Sequence, residues 1–295
     1  MYALWIASGL LVCLLILARR LGGGSACRVS LLTVALSSLC GIAAAKLFYV
    51  LLIALPTAPA DGLAALLSPK ADTFSVFGGG VGALVGAWLS ARIVKVKPAT
   101  LLDSFTPCAA LFLAFLRAAE KELGTIGVGG YVPPSSPLAR FPFSVPNAYG
   151  EQLYALFYLE ALLALACALV FLLCRRRWPD GVRAELCLFF LTLPQVICES
   201  LRSRCMKWGF VRTEQLLCGL LLLGLLWYAC KRESGIQRHR YAPLLLGILC
   251  IVCVGLLEFG LYKSDIPVWL CYGMMAAMLG CLAWLEAFAV KRRTA

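Results

Sequence analysis

Nine apolar windows run through this chain, near residues 3–18, 30–55, 74–94, 101–119, 152–174, 185–202, 213–230, 243–261 and 267–290. A helix crossing the hydrocarbon layer of a membrane needs about 20 apolar residues, so each window is a candidate span. A mean hydropathy of +0.88 and 62% apolar residues exclude a soluble globular domain and a disordered chain. The expected architecture is all-α: a polytopic transmembrane helical bundle of seven spans plus two extra C-terminal spans. Residues 1–230 form the main membrane domain, and residues 231–295 a two-span appendage.

The formal net charge of +12 does not point to nucleic acid, because the basic residues fall in alternate loops. They are Arg19, Arg20 and Arg28; Arg92, Lys95 and Lys97; Arg175, Arg176, Arg177 and Arg183; Lys231, Arg232, Arg238 and Arg240; and Lys291, Arg292 and Arg293. This is the positive-inside pattern and suits an anionic cytoplasmic leaflet. It gives a topology with the N-terminus out and the C-terminus in. No basic residue precedes the first apolar stretch and Arg19-Arg20 follow it, so it reads as a true span rather than a cleavable signal. The loop at 202–212 departs from the pattern: it should face outward, yet holds Arg202, Arg204, Lys207 and Arg212. An anion bound at the outer surface, such as a lipid phosphate, would account for it.

Four ionisable residues lie within or at the ends of spans: Lys46 in KLFYV, Arg117 in FLAFLRAAE, and Glu199 and Arg202 in VICESLRSR. Charges at membrane depth are expensive and mark functional sites by default. Arg117 is placed either to grip a phosphate in bidentate fashion or to snorkel from a helix end. Glu120 and Glu122 follow it closely as partners for it or for Lys121. Glu199 and Arg202 are three apart and share a helical face with Gln195, so they form either a polar inward-facing stripe or a structural ion pair. Glu160, deeper in the fifth window, is a secondary candidate. These ions all lie in the first seven windows, and no pairing of broken helices points to a transporter.

The glycine run at 77–86, with Gly78 and Gly79 near its start, permits close helix packing or leaves room for a ligand at the outer mouth. Residues 120–151 are too rich in Gly and Pro for a helix and form a long extracytoplasmic loop. A shorter one spans 56–73. Gln152-Leu153-Tyr154 begins the fifth span. Most of the fifteen cysteines sit in apolar runs, where they act as small hydrophobes. Cys250 and Cys253 have no His or second pair nearby, so neither a metal nor a cofactor is expected. The one histidine, His239, lies in a basic loop, so any chemistry uses Tyr, Glu or an activated substrate thiol.

In their order, these residues resemble the bacterial prolipoprotein diacylglyceryl transferase family over roughly residues 1–225. Tyr2-Ala3-Leu4, Gly9 and Ala18-Arg19-Arg20 are similar to the family's Tyr-Gly-Leu … Gly … Ala-Arg-Arg. Ala44-Ala45-Lys46-Leu47-Phe48-Tyr49-Val50 resembles its Gly-Ala-Arg-Leu-Gly-Tyr-Val. Ser75-Val76-Phe77-Gly78-Gly79 stands at its Ser-Phe-His-Gly-Gly, and Leu102-Asp103 … Pro107 … Leu116-Arg117 at its Leu-Asp … Pro … Gly-Arg. Gln152-Leu153-Tyr154 matches its Gln-Leu-Tyr, and Gln195 … Glu199 … Arg202 its Arg-Phe-Leu-x-Glu-Phe-Phe-Arg; Gln215 falls on the Gln of its next span. Phe77 and Tyr149 stand where the family has His, Ala119-Glu120 where it has Gly-Asn, and Gln195 where it has Arg.

The resemblance implies an enzyme of the bacterial cytoplasmic membrane. It would move a diacylglyceryl group from phosphatidylglycerol to the lipobox cysteine thiol of a preprolipoprotein and release glycerol phosphate. It also implies roles for residues: Tyr2, Arg117, Glu199 and Arg202 in catalysis; Lys46, Gly78, Gly79, Gln152, Tyr154, Gln195 and Gln215 in substrate binding. The same scaffold would also serve a phospholipid-binding or accessory paralogue, or a transferase with another acceptor.

Overall fold

The computed structural model describes residues 1–57, 64–68, 70–124, 126–174, 178–203, 205–208, 211–232, 241–263 and 266–294. Among the described residues, nine helices are long and apolar enough to cross a membrane. They are α1 (Tyr2–Leu21), α2 (Ala26–Tyr49), α3 (Val76–Ile93), α4 (Pro98–Ala119), α5 (Leu156–Leu173), α6 (Val182–Leu201), α7 (Thr213–Lys231), α8 (Ala242–Lys263) and α9 (Val268–Thr294). The all-α polytopic bundle expected from hydropathy is the architecture found. α2 runs on through a π-helical turn at Val50–Ala54.

Local chemistry explains the helix boundaries. Ser75 caps α3, its hydroxyl accepting from the Gly78 N–H at 3.0 Å. Pro98 opens α4 at a position where its missing N–H costs nothing. α6 follows Gly181 in the left-handed region (φ 90°). Its N-terminus is capped by Asp103 of α4, whose carboxylate accepts from the Gly181 and Ala184 N–H groups, each at 2.7 Å. Arg20 donates to the Phe171 and Leu172 carbonyls at the C-terminus of α5. Asp103 and Arg20 therefore tie helices together at the opposite end from the site described below.

Lipid tails are as apolar as leucine, so membrane helices associate through close packing and polar contacts rather than apolar burial alone. The most extensive interface, α2 against α3, shows this. A Cβ added at Gly78 would lie 2.6 Å from Phe48 Cβ and 2.9 Å from the Ala44 carbonyl oxygen. One at Gly82 would lie 2.6 Å from Ala44 Cβ, and one at Gly86 2.6 Å from Ser37 Cα. The three glycines, spaced by four, let two backbones touch. α4 is the hub of the bundle, packing on α1, α3, α5 and α6. α8 and α9 pack on each other and on α7, and α9 also packs on α6.

Five described basic side chains share the end of the bundle opposite Arg117. Arg92, Arg183, Lys231, Arg232 and Arg292 lie over Trp88, Trp178, Trp227, Tyr228 and Phe288 respectively, as in an interfacial aromatic belt. Arg175, Arg176, Arg177, Arg204, Arg238, His239 and Arg240 lie outside the described residues. At the opposite end, the Gly/Pro-rich loop folds without long helices into a short hairpin, β1 (Ser144–Pro146) with β2 (Gln152–Tyr154). A second hairpin pairs β3 (Lys207–Trp208) with β4 (Val211–Arg212). Gln152, Leu153 and Tyr154 thus form a strand rather than the start of the fifth span. Their backbone pairs with residues 129–132, a tertiary contact that local sequence does not announce.

Candidate functional site

Arg117 is 1% exposed, at the last turn of α4, and so could not remain without counter-charge. Its Nη1 lies 2.6 Å from Oε1 of Glu120, and its Nε 2.7 Å from Oε2 of Glu160 on α5. Oε1 of that same Glu160 lies 2.5 Å from Nη2 of Arg202, just past α6. The Nε of Arg202 lies 3.2 Å from Oε1 of Glu199. Gln195, four residues before Glu199, donates from Nε2 to Glu199 Oε1 at 3.0 Å and to Glu160 Oε1 at 3.3 Å. The stripe Gln195–Glu199–Arg202 and Arg117 therefore meet in one chain of charge running across α4, α5 and α6.

Glu160, a secondary candidate from sequence, is its centre: both guanidiniums share that carboxylate. The chain counts three carboxylates (Glu120, Glu160, Glu199) against two guanidiniums. Burial acts to lower the basicity of Arg202, but Glu199 and Glu160 outweigh it and hold the guanidinium above its ordinary value. Among the described residues, Nη2 of Arg117 and Nη1 of Arg202 make no side-chain hydrogen bond.

A small pocket between α4, α5 and α6 abuts these groups. Leu113, Leu163, Leu191, Pro194 and Cys198 line it, with Arg117, Glu160 and Gln195 at its polar base. Pro194 lies inside α6 and cannot donate to the preceding turn, which loosens the helix beside Gln195. The long loop closes the cluster from the end. Its segment 127–129 sits between β2 and the chain after α6. Gly129 N–H donates to the Tyr154 carbonyl at 2.8 Å, and Ser203 N–H to the Val128 carbonyl at 3.1 Å; Gly129 also pairs with Arg202 as a β-bridge. Gly127 (φ 72°) has no alternative here, since a Cβ would collide with the Glu120 carboxylate.

Other expected site residues lie outside this chain of ion pairs. Tyr2 is half-buried at the start of α1, which packs against the turn Glu120–Leu123 at the same end of the bundle. Gln152 Oε1 accepts from Ser144 Oγ within the hairpin. Lys46 is committed to its own surroundings: Nζ donates to the Ser68 carbonyl at 2.5 Å and to Thr73 Oγ1 at 2.6 Å, and lies 4.4 Å from the Phe74 ring centre. It fastens the segment before α3 rather than joining the Arg117 cluster. The room expected at Gly78 is filled by Phe48, whereas a Cβ at Gly79 would meet Ala45 Cβ at an ordinary 3.6 Å. Gln215 points to a second cluster, donating to the Val196 carbonyl and to Glu258 Oε2.

That second cluster corrects the expectation that buried ions stay in the first seven windows: Glu258 of α8 and Glu286 of α9 are both buried. Arg212, from the loop that broke the positive-inside pattern, is buried too, with Nε 2.9 Å from Glu258 Oε1. Two of that loop's four basic residues, Arg202 and Arg212, are thus internal ion-pair partners rather than solvent-facing loop charge. Sequence reading also passed over Glu214 of α7, which accepts from Ser75 Oγ at 2.6 Å and from the Phe77 N–H at 3.5 Å.

The family model described as prolipoprotein diacylglyceryl transferase matches residues 1–230. The chain belongs to the prolipoprotein diacylglyceryl transferase family. No curated protein matches it. Membership makes this a multi-pass membrane transferase with lipid and prolipoprotein substrates. The match ends within the last turn of α7, so the whole ion cluster lies inside the diacylglyceryl transferase region and α8 and α9 lie beyond it.

Proposed function

We propose that the protein transfers the diacylglyceryl group of phosphatidylglycerol to the lipobox cysteine thiol of a preprolipoprotein at the outer face of a bacterial cytoplasmic membrane. The end carrying Arg117 faces outward, as the opposite, basic end faces the cytoplasm. The observation that carries this reading is the pair of guanidiniums, Arg117 and Arg202, joined through Glu160 beside a small pocket between α4, α5 and α6.

The reaction forms a bond between sulfur and a glycerol carbon and breaks the bond from that carbon to a phosphate oxygen. The phosphate enters as a diester with one negative charge and leaves as glycerol phosphate with two. Cations held in place where that charge develops favour the transition state over the ground state. Nη2 of Arg117 and Nη1 of Arg202 are the donors available for it. The thiol proton needs an acceptor, and that role falls to Glu199, whose ion pair with Arg202 is the longest of the cluster at 3.2 Å. The attacking thiol belongs to the substrate, so a family histidine replaced by Phe77 does not remove the nucleophile. Lipid tails would lie against Leu113, Leu163 and Leu191, and Gln152 and Tyr154 would present the hairpin to the peptide.

Purified full-length protein, given phosphatidylglycerol vesicles and a lipobox peptide, is expected to release glycerol phosphate as the peptide gains one diacylglyceryl group. Peptide left unmodified by folded protein overturns the proposal. Lipidation from another headgroup overturns the donor assignment.

A further inference from the structure

Glu258 sits on α8, outside the family match, at a position with no obvious part in lipid transfer. It nevertheless reaches back into the seven-helix part. Oε1 takes the Nε–H of Arg212 at 2.9 Å, and Oε2 accepts from Ser200 Oγ at 2.5 Å and from Gln215 Nε2 at 3.4 Å. Tyr272 of α9 adds a contact of 3.3 Å to the same Ser200 hydroxyl.

Arg212 is turned by this pairing onto the end of α6. Its Nη1 donates to the backbone carbonyls of Glu199 at 2.5 Å and of Arg202 at 2.9 Å. Those carbonyls belong to the helix C-terminus, where intrahelical donors run out, and the Glu199 carbonyl otherwise takes only a long bond from the Arg202 N–H at 3.4 Å. They also belong to the two residues whose side chains close the Glu160 cluster. Arg202 is thus held from two sides: its side chain by Glu160 and Glu199, its backbone by Arg212.

We infer that Glu258 is a positioning residue for Arg202 and Glu199, so that the two helices beyond the family match are a working part of the site. This rests on the reaction proposed above. Without the Glu258 carboxylate, Arg212 loses the counter-charge that orients its Nε, and its hold on the Glu199 and Arg202 carbonyls loosens. A shift of about 1 Å in a reacting group can cost roughly a hundredfold in rate.

The test uses the full chain with Glu258→Gln, which keeps shape and removes charge, and Glu258→Asp, which keeps charge. Transfer from phosphatidylglycerol vesicles to a lipobox peptide is measured per folded molecule, and backbone hydrogen exchange is measured on the same samples. Glu258→Gln is expected to lower kcat at least tenfold with KM for the peptide unchanged, and to speed exchange at 199–203 but not in α1. Glu258→Asp is expected to recover most of the rate. An unchanged kcat in Glu258→Gln overturns the inference, as does unchanged exchange at 199–203. A uniform loss of folded protein at normal kcat reduces Glu258 to a stabilising contact and overturns it too. If the wild type is inactive, the reaction proposal fails, and the exchange data alone decide whether Glu258 orders the end of α6.

Discussion

Oε2 of Glu160 lies 2.7 Å from Nε of Arg117, an ion pair between α5 and α4 with both side chains almost wholly buried. Arg202 uses the other oxygen of the same carboxylate. One acidic residue therefore fixes the spacing of two guanidiniums carried by different helices.

Glu160→Gln leaves both guanidiniums facing a neutral amide. Breaking a buried pair in this way costs about 3–5 kcal/mol. The expected result is a lowered unfolding midpoint together with loss of transfer, read by thermal unfolding in detergent beside a product assay. A stable, active variant would mean that the two cations do not depend on Glu160.

Arg117→Ala and Glu199→Gln are expected to abolish transfer, whereas Cys250→Ser, a buried thiol on α8, leaves it intact. Arg202→Lys keeps the charge but loses the planar fork that serves Glu160 and Glu199 together. A fall of about a hundredfold in kcat/KM is expected, in line with loss of one preorganised donor at a developing anion. Full activity in Arg117→Ala would remove Arg117 from the site.

The α2–α3 interface separates two neighbouring glycines. Gly78→Ala forces a methyl group against Phe48 and should cost about 1–3 kcal/mol by overpacking. Gly79→Ala has space and gains helix propensity of up to about 1 kcal/mol. Unfolding midpoints measured side by side should move in opposite directions or, at the least, differ clearly.

Lys46→Met removes the donor for Ser68 and Thr73. A lower unfolding midpoint with an unchanged KM for phosphatidylglycerol is expected. A raised KM at unchanged stability would instead place Lys46 at the lipid.

The spans were legible because hydropathy over about 20 residues reports directly on the bilayer. Arg117, Glu199, Arg202 and Gln195 were legible for a related reason: a polar group in an apolar run needs a partner. The same signal was present at Glu258 and Glu286, but reading the last two helices as an appendage hid it. Contacts that depend on which helices become neighbours stayed out of reach. Glu160 joining two arginines, Glu214 meeting Ser75, and the strand at Gln152–Tyr154 are all of this kind. Gly78 was legible as a glycine that matters, but its neighbour Phe48 was not.

The most direct test places the gene in cells depleted of their own diacylglyceryl transferase and follows the mass of a reporter lipoprotein. The account predicts a gain of one diacylglyceryl unit with the wild-type chain and none with Arg117→Ala. An unmodified reporter, with the wild-type protein confirmed in the membrane, would contradict it.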